Sequence, residues 1–277
     1  MLKFAYIDIG ELGWSLYLSA HLKWLKKNTN YSFVVVTLPD RKCLYKDSAD
    51  LILEVPNNFY KKFKDEQNCF GLGQPFRKDL KEFFQAMLPS GYSIPDDFNF
   101  KRNRSFLTDR LIYKPYCYSK KLVGKKKILI FPRYRKQVPY NSRNLPKLFY
   151  VKLIEALCNK FHDYEIETIG LTSGSYTIKV NKDNYKNGIE EKVDLQNLID
   201  GCQLAVGAIG SQSALPKLTL LQGVPTFIIG HDLARHTDKD NWLKTKTGFY
   251  RIAKTDYATI NQEDCINKII SFVGSCI

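Results

Sequence analysis

The chain has 277 residues, 44% of them hydrophobic and 13% aromatic, with 42 Lys and Arg against 28 Asp and Glu for a formal net charge of +14. That length forms one large domain or two of ordinary size with real cores. No apolar run approaches the roughly 20 residues needed to cross a bilayer, so a membrane-spanning chain is excluded and a soluble globular protein is expected. The first apolar segment carries Asp8 and Glu11 and lacks a small-residue cleavage site, so no secretory leader is read and a cytoplasmic location is expected.

The charge is compatible with nucleic acid, an anionic membrane face or a nucleotide substrate as partner, because a basic surface raises the local concentration of any polyanion. Clusters such as Lys61-Lys62 and Lys125-Lys126-Lys127 are also consistent with nothing more than solvated surface. The seven cysteines, at 43, 69, 117, 158, 202, 265 and 276, form no C-x-x-C pair and are read as reduced, mostly buried thiols. The four histidines make no H-E-x-x-H pattern, so no metal is expected.

In chain order, residues 3–8 read as a strand and Gly10-Glu11-Leu12-Gly13 as the turn after it. Trp14 to Lys27 repeats apolar residues at helical spacing and ends in a lysine pair, which suits a helix carboxyl end. Tyr31–Leu38 and Ala49–Val55 are further strands, separated by a polar stretch of unassigned structure. From Phe59 to Tyr118 the pattern loosens, with Phe76–Leu88 at helical spacing, and no internal repeat is present. A basic link at 120–127 leads into a second strand and helix series. The expected domains are therefore 1–122 and 123–277.

The second series reads as strand 127–132, loop 133–145, helix 146–161, strand 164–170, a polar excursion through Asn184, helix 194–200, strand 203–207, helix 213–222, strand 225–229 and a final helix over Gln262–Val273. Alternation of this kind predicts a parallel sheet covered on both faces. The fold class is α/β, with two Rossmann-like lobes and a ligand cleft between them.

The most informative stretch is Val206 to Gly230. Gly207 and Gly210 are expected to bend the chain tightly and let a ligand approach backbone N–H groups. Ser211, Gln212 and Ser213 follow where a helix begins, and the serine hydroxyls either cap that helix or bind a phosphate. Gly223 and Pro225 end the helix and start the next strand. Past the strand that opens this lobe, Arg133, Arg135, Lys136 and Arg143 form a cationic loop suited to a diphosphate, since ligands bind at the carboxyl ends of such strands. Asp194 is first a helix cap and second a contact to a base or ribose. His231, Arg235 and His236, followed by Asn241-Trp242, can bond or stack on a sugar or phosphate, or form a polar loop over a core tryptophan.

Two lobes of this kind, with the G-A-I-G-S-Q-S turn leading to a G-V-P strand, resemble the two-lobed GT-B glycosyltransferases. Ile9-Gly10-Glu11-Leu12-Gly13 before an amphipathic helix looks like the first turn of the ADP-heptose lipopolysaccharide heptosyltransferases. In that family an acid after the glycine is the proposed base. The resemblance places Glu11 there, with glutamate where aspartate is usual, and Asp8 is the competing candidate. Glu11 is otherwise a surface acid at a helix start.

The resemblance implies a transferase moving a sugar from a nucleotide diphosphate sugar to a hydroxyl of a glycan or glycolipid by an inverting displacement. A nucleotide sugar serves as co-substrate with no metal or other cofactor, and peripheral contact with an anionic membrane is compatible with the charge. Donor binding is expected of Arg133, Arg135, Gly210, Ser211, Gln212, Ser213, Asp194, His231 and Arg235. The rival readings are a basic nucleic-acid-binding protein, for which no recognisable module is found, and an inactive or epimerase-type sugar-nucleotide binder of the same fold.

Overall fold

The computed structural model describes residues 1–9, 12–56, 78–94, 126–136, 140–192, 194–232, 245–253 and 257–277. The chain divides into two compact units, Met1–Ile112 and Tyr113–Ile277. The boundary expected near Val123 falls outside the described residues, as do Gly10, Glu11, Arg235, His236, Asn241, Trp242, Cys69 and Cys117. No helix among the described residues is long and apolar enough to cross a membrane.

In the first unit, β1 (Lys3–Asp8), β2 (Ser32–Thr37) and β3 (Leu51–Glu54) form a parallel sheet in the order β1-β2-β3. β2 is buried at every position, which its Ser-Phe-Val-Val-Val-Thr sequence anticipates, because a parallel strand covered on both faces has no polar side to show. Helix α1 (Leu12–Asn28) buries Leu16, Leu18 and Leu22 and ends in Lys26 and Lys27 at its negative dipole end. The polar stretch between β2 and β3 folds as a 3-10 turn, Pro39–Leu44, started by proline at its first position. Helix α2 (Lys78–Met87) places Phe84 in the core with Ala5, Ile7, Val34 and Val36.

The second unit holds six parallel strands: β4 (Lys127–Phe131), β5 (Glu165–Leu171), β6 (Tyr185–Glu190), β7 (Ala205–Ser211), β8 (Thr226–Gly230) and β9 (Thr247–Arg251). Their order is β6-β5-β4-β7-β8-β9. The chain starts in the middle, winds out to one edge, crosses back and winds out to the other. This is the doubly wound order, and its reversal point lies between β4 and β7. Helices α3 (Lys147–Lys160) and α6 (Gln262–Gly274) pack together over the sheet, their buried Leu153, Leu157, Ile266 and Ile269 joining Ile128, Ile130 and Ile209 in one core. Helix α4 (Leu195–Gly201) precedes β7, and α5 (Ala214–Leu221) packs on β7 and β8.

Three expectations are corrected. β6 and β9 lie where no strand is expected, because Tyr-Lys-Asn-Gly-Ile-Glu and Thr-Gly-Phe-Tyr-Arg are half-exposed edge strands without a strong apolar signal. β7 runs to Ser211, so Gly207 and Gly210 are strand residues and not a tight turn. At Gly210 a Cβ would stand 2.8 Å from Pro216 Cγ and 3.1 Å from Phe131 Cδ2, so glycine is required there by side-chain packing and not by backbone bending. The glycine at the other end of α5 does follow expectation: Gly223 has φ +79° and closes the helix.

Candidate anion site at the sheet reversal

β4 ends at Phe131 and β7 at Ser211, with Phe131 paired to Gly210, so the loops that follow both strands emerge side by side at the reversal point of the sheet. In a doubly wound sheet that is where a ligand binds. The loop after β4 is held from two directions. Asn144 Oδ1 accepts from Arg133 Nη1 at 2.8 Å and from the Arg135 backbone N–H at 2.9 Å, while its Nδ2 donates to the Arg135 carbonyl at 2.8 Å. On the other side the Tyr134 N–H donates to the Gly174 carbonyl at 2.8 Å and the Tyr176 N–H to the Pro132 carbonyl at 2.7 Å, with the Tyr134 and Tyr176 rings 4.5 Å apart. The cationic loop is thus a fixed scaffold.

Arg133 is only 7% exposed. Burial lowers its guanidinium to about 10, and the neighbouring charges of Arg143 and Arg135 push in the same direction. It remains cationic at neutral pH, in surroundings that disfavour a cation. Guanidiniums bind phosphates through paired, charge-assisted hydrogen bonds.

Beside Arg133 stand two hydroxyls. Tyr150, on α3, and Ser211, closing β7, are both fully buried. Burial pushes the Tyr150 phenol far above its ordinary range, and Arg133 and the Ser211 hydroxyl draw it partly back, which puts the three groups in one neighbourhood. Neither hydroxyl makes a well-formed hydrogen bond to a protein group among the described residues. Unsatisfied buried hydroxyls cost of order 1–3 kcal/mol each, so they point to a polar ligand.

Gln212 and Ser213 lead into α5. Ser213 holds the cap position in extended conformation with no side-chain capping bond, and α5 begins at Ala214. Gln212 is buried and braces the ends of two strands: its Oε1 accepts from the His231 N–H at 3.2 Å and from Tyr257 Oη at 3.0 Å, and its Nε2 donates to the Asp232 carbonyl. Gly230 makes room for this, since a Cβ there would lie 2.4 Å from Gln212 Cγ. His231 Nδ1 is 2.9 Å from Tyr257 Oη. Asp194 caps α4, accepting the Asn197 N–H at 3.0 Å.

In the first unit Asp8 ends β1 and is 2% exposed. Its Oδ1 accepts from Ser15 Oγ at 2.8 Å and faces Arg41 Nη1 at 3.7 Å; its Oδ2 accepts from Tyr45 Oη at 2.6 Å and Thr37 Oγ1 at 3.3 Å. Burial leaves the Asp8 carboxyl above its ordinary range, opposed by Arg41 and the hydroxyls. Asn144, Tyr150, Tyr257, Arg41 and Tyr45 carry no local signal in the sequence. Each lies in a loop or an apolar helix face, and only the topology brings it to a site.

Comparison with known proteins finds no matching family model and no matching curated protein. Solved structures do match along the whole chain. A glycosyl transferase family 9 protein from Veillonella parvula superposes with a TM-score of 0.64 at 12% identity, covering 99% of this chain and 97% of that one. The E. coli heptosyltransferase WaaC with ADP-2-deoxy-2-fluoro heptose gives 0.63 at 10% identity over 100% of both chains, and E. coli ADP-heptose lps heptosyltransferase II gives 0.58 at 9% identity over 99% of both. This is the GT-B fold. Identities this low establish architecture alone. In the GT-B fold of this chain, Arg133, Tyr150 and Ser211 occupy the reversal point of the second unit.

Proposed function

We propose that the protein is a glycosyltransferase that uses a nucleotide diphosphate sugar, with the donor diphosphate held at the carboxyl ends of β4 and β7. The observation that carries this reading is the buried Arg133 set among Arg135, Arg143 and the two unsatisfied hydroxyls of Tyr150 and Ser211. A diphosphate oxygen between these groups pairs with the guanidinium and gives both hydroxyls a partner. The same charges stabilise the nucleotide as it leaves with growing negative charge, so the site binds and activates with one set of groups. Arg135, Ser213, Gly210, Asp194 and Arg235 complete the proposed donor side, with Gly210 and Asp194 acting through packing and capping. Gln212 acts by bracing His231.

The acceptor is a hydroxyl of a glycan or glycolipid, and the displacement inverts the anomeric carbon. Glu11 takes the proton from that hydroxyl. Asp8, whose two oxygens are taken up by Ser15, Thr37, Tyr45 and Arg41, holds the end of β1. No metal is invoked.

Incubating the protein with a panel of nucleotide sugars and following release of nucleoside diphosphate tests the reaction. Release that rises on adding a glycan acceptor, with a new linkage by mass spectrometry, is the expected result. Conversion of the donor to its epimer with no transfer rejects it. Glu11→Gln should lower turnover by about 100-fold or more while donor affinity stays within about threefold; full activity in that variant removes Glu11 as the base.

A further inference from the structure

The side chain that ties together the two arginines of the β4 loop is itself uncharged. Asn144 stands between the 3-10 turn Tyr140–Arg143 and helix α3. The Arg135 backbone N–H can only donate and the Arg135 carbonyl can only accept, and they lie 2.9 Å and 2.8 Å from opposite ends of the Asn144 amide. One backbone residue therefore sets the orientation of that amide, with Oδ1 toward the N–H and Nδ2 toward the carbonyl. The atom 2.8 Å from Arg133 Nη1 is then the amide oxygen, a dipole and not a charge.

Two consequences follow for Arg133. Its long side chain bonds to a group that is locked to the main chain, so the guanidinium is placed by a directed contact. That contact takes one of five N–H donors and brings no negative charge with it. The carboxylate of the same shape would act differently. With Asn144→Asp the bonds to Arg133 and the Arg135 N–H would become charge-assisted, but the second oxygen would face the Arg135 carbonyl at 2.8 Å as one acceptor against another. The new carboxylate would also compete with a phosphate for Arg133. Asp8 and Arg41 in the first unit show that alternative, a carboxylate and a guanidinium that answer each other inside the protein.

We infer that Asn144 is a positioning residue of the donor site, which holds Arg133 for the diphosphate through a neutral bond that adds no competing negative charge. This rests on the donor-site reading above. It adds that Asn144 acts through Arg133, and that the site requires an amide at this position and not simply an acceptor of the same shape.

A double-mutant cycle on the full chain tests it, read by titration calorimetry with ADP, GDP, UDP and CDP as probes. Asn144→Ala is made alone and together with Arg133→Gln, and circular dichroism checks that each variant is folded. Asn144→Ala should weaken nucleotide binding about tenfold where Arg133 is present, and less than about twofold where Arg133 has already been replaced, because the effect passes through the guanidinium. A residue that merely braces the loop would cost the same in both backgrounds. Asn144→Asp keeps the shape and the acceptor oxygen, and should bind more weakly than the wild type by about tenfold or more, because its charge competes with the phosphate for Arg133. That variant also decides the matter if Asn144→Ala does not fold. Equal losses from Asn144→Ala in the two backgrounds, or wild-type affinity in Asn144→Asp, overturn this inference and leave the donor site standing. If none of the four nucleotides binds the wild type, the donor reading falls and this inference with it.

Discussion

Each unit buries one charged side chain at the carboxyl end of its first strand, and the two are treated in opposite ways. Asp8 in the first unit is enclosed by Ser15, Thr37, Tyr45 and Arg41, so that both carboxylate oxygens are occupied and the charge is answered inside the protein. Arg133 in the second unit is held through neutral Asn144, feels the like charges of Arg143 and Arg135, and stands near two hydroxyls without well-formed bonds. The first arrangement is closed and serves stability. The second is where the proposed donor diphosphate would sit. Burial of a charge therefore does not identify a functional site by itself; the sign and satisfaction of its surroundings do.

Substitutions can break this contrast, and the largest effect is expected at Asp8. Asp8→Ala leaves Arg41 and three hydroxyls facing an uncompensated site and should cost about 3–5 kcal/mol of unfolding free energy, read by denaturant titration. A cost below about 1 kcal/mol would mean the cluster is not the closed network described. His21, also buried in the first unit, sharpens the same point through pH. Burial lowers it from 6.5 to about 4, so the folded state binds fewer protons than the unfolded one. Stability should be unaffected above the ordinary histidine range and should fall, by up to roughly 3 kcal/mol, as pH drops from 6.5 toward 4. His21→Leu should flatten that decline, and an unchanged acid limb would assign it to other groups.

Gly210→Ala asks whether the sheet reversal is as closely packed as it looks. Its Cβ would stand 2.8 Å from Pro216 Cγ and 3.1 Å from Phe131, so a loss of about 1–3 kcal/mol is expected, and a neutral result would show that Pro216 and Phe131 can yield. The smallest effect on stability belongs to Arg133. Arg133→Gln removes a buried cation from among like charges while keeping a hydrogen-bonding side chain for Asn144, so the unfolding free energy should stay or rise, within about 0.5 kcal/mol. A large loss would make Arg133 structural.

Much of this architecture is legible in the sequence because parallel strands covered on both faces read as plain apolar runs. β1, β2, β4 and β8 announce themselves in that way, and Arg133 and Arg135 are recognisable because they follow a strand of that type. What is hidden is whatever depends on topology or on a neighbour. β6 and β9 are edges with little to bury. β7 is disguised by Gly207 and Gly210, the latter a glycine selected by Pro216 and Phe131 rather than by a turn. Tyr150 reads as core on an apolar helix face and becomes part of the site only when α3 lies beside the end of β7. Tyr257 and Gln212 acquire their role through each other, across a separation that no spacing rule spans.

The central claim, that the sheet reversal of the second unit holds a nucleoside diphosphate through Arg133, is tested most directly by titration calorimetry of ADP, GDP, UDP and CDP against the wild type and Arg133→Gln at equal protein stability. At least one nucleotide should bind the wild type one to one and weaken with added salt, and the variant should lose on the order of 2–3 kcal/mol of binding, roughly a hundredfold in affinity. Equal affinity in the two proteins, or no binding of any of the four to the wild type, would contradict the account.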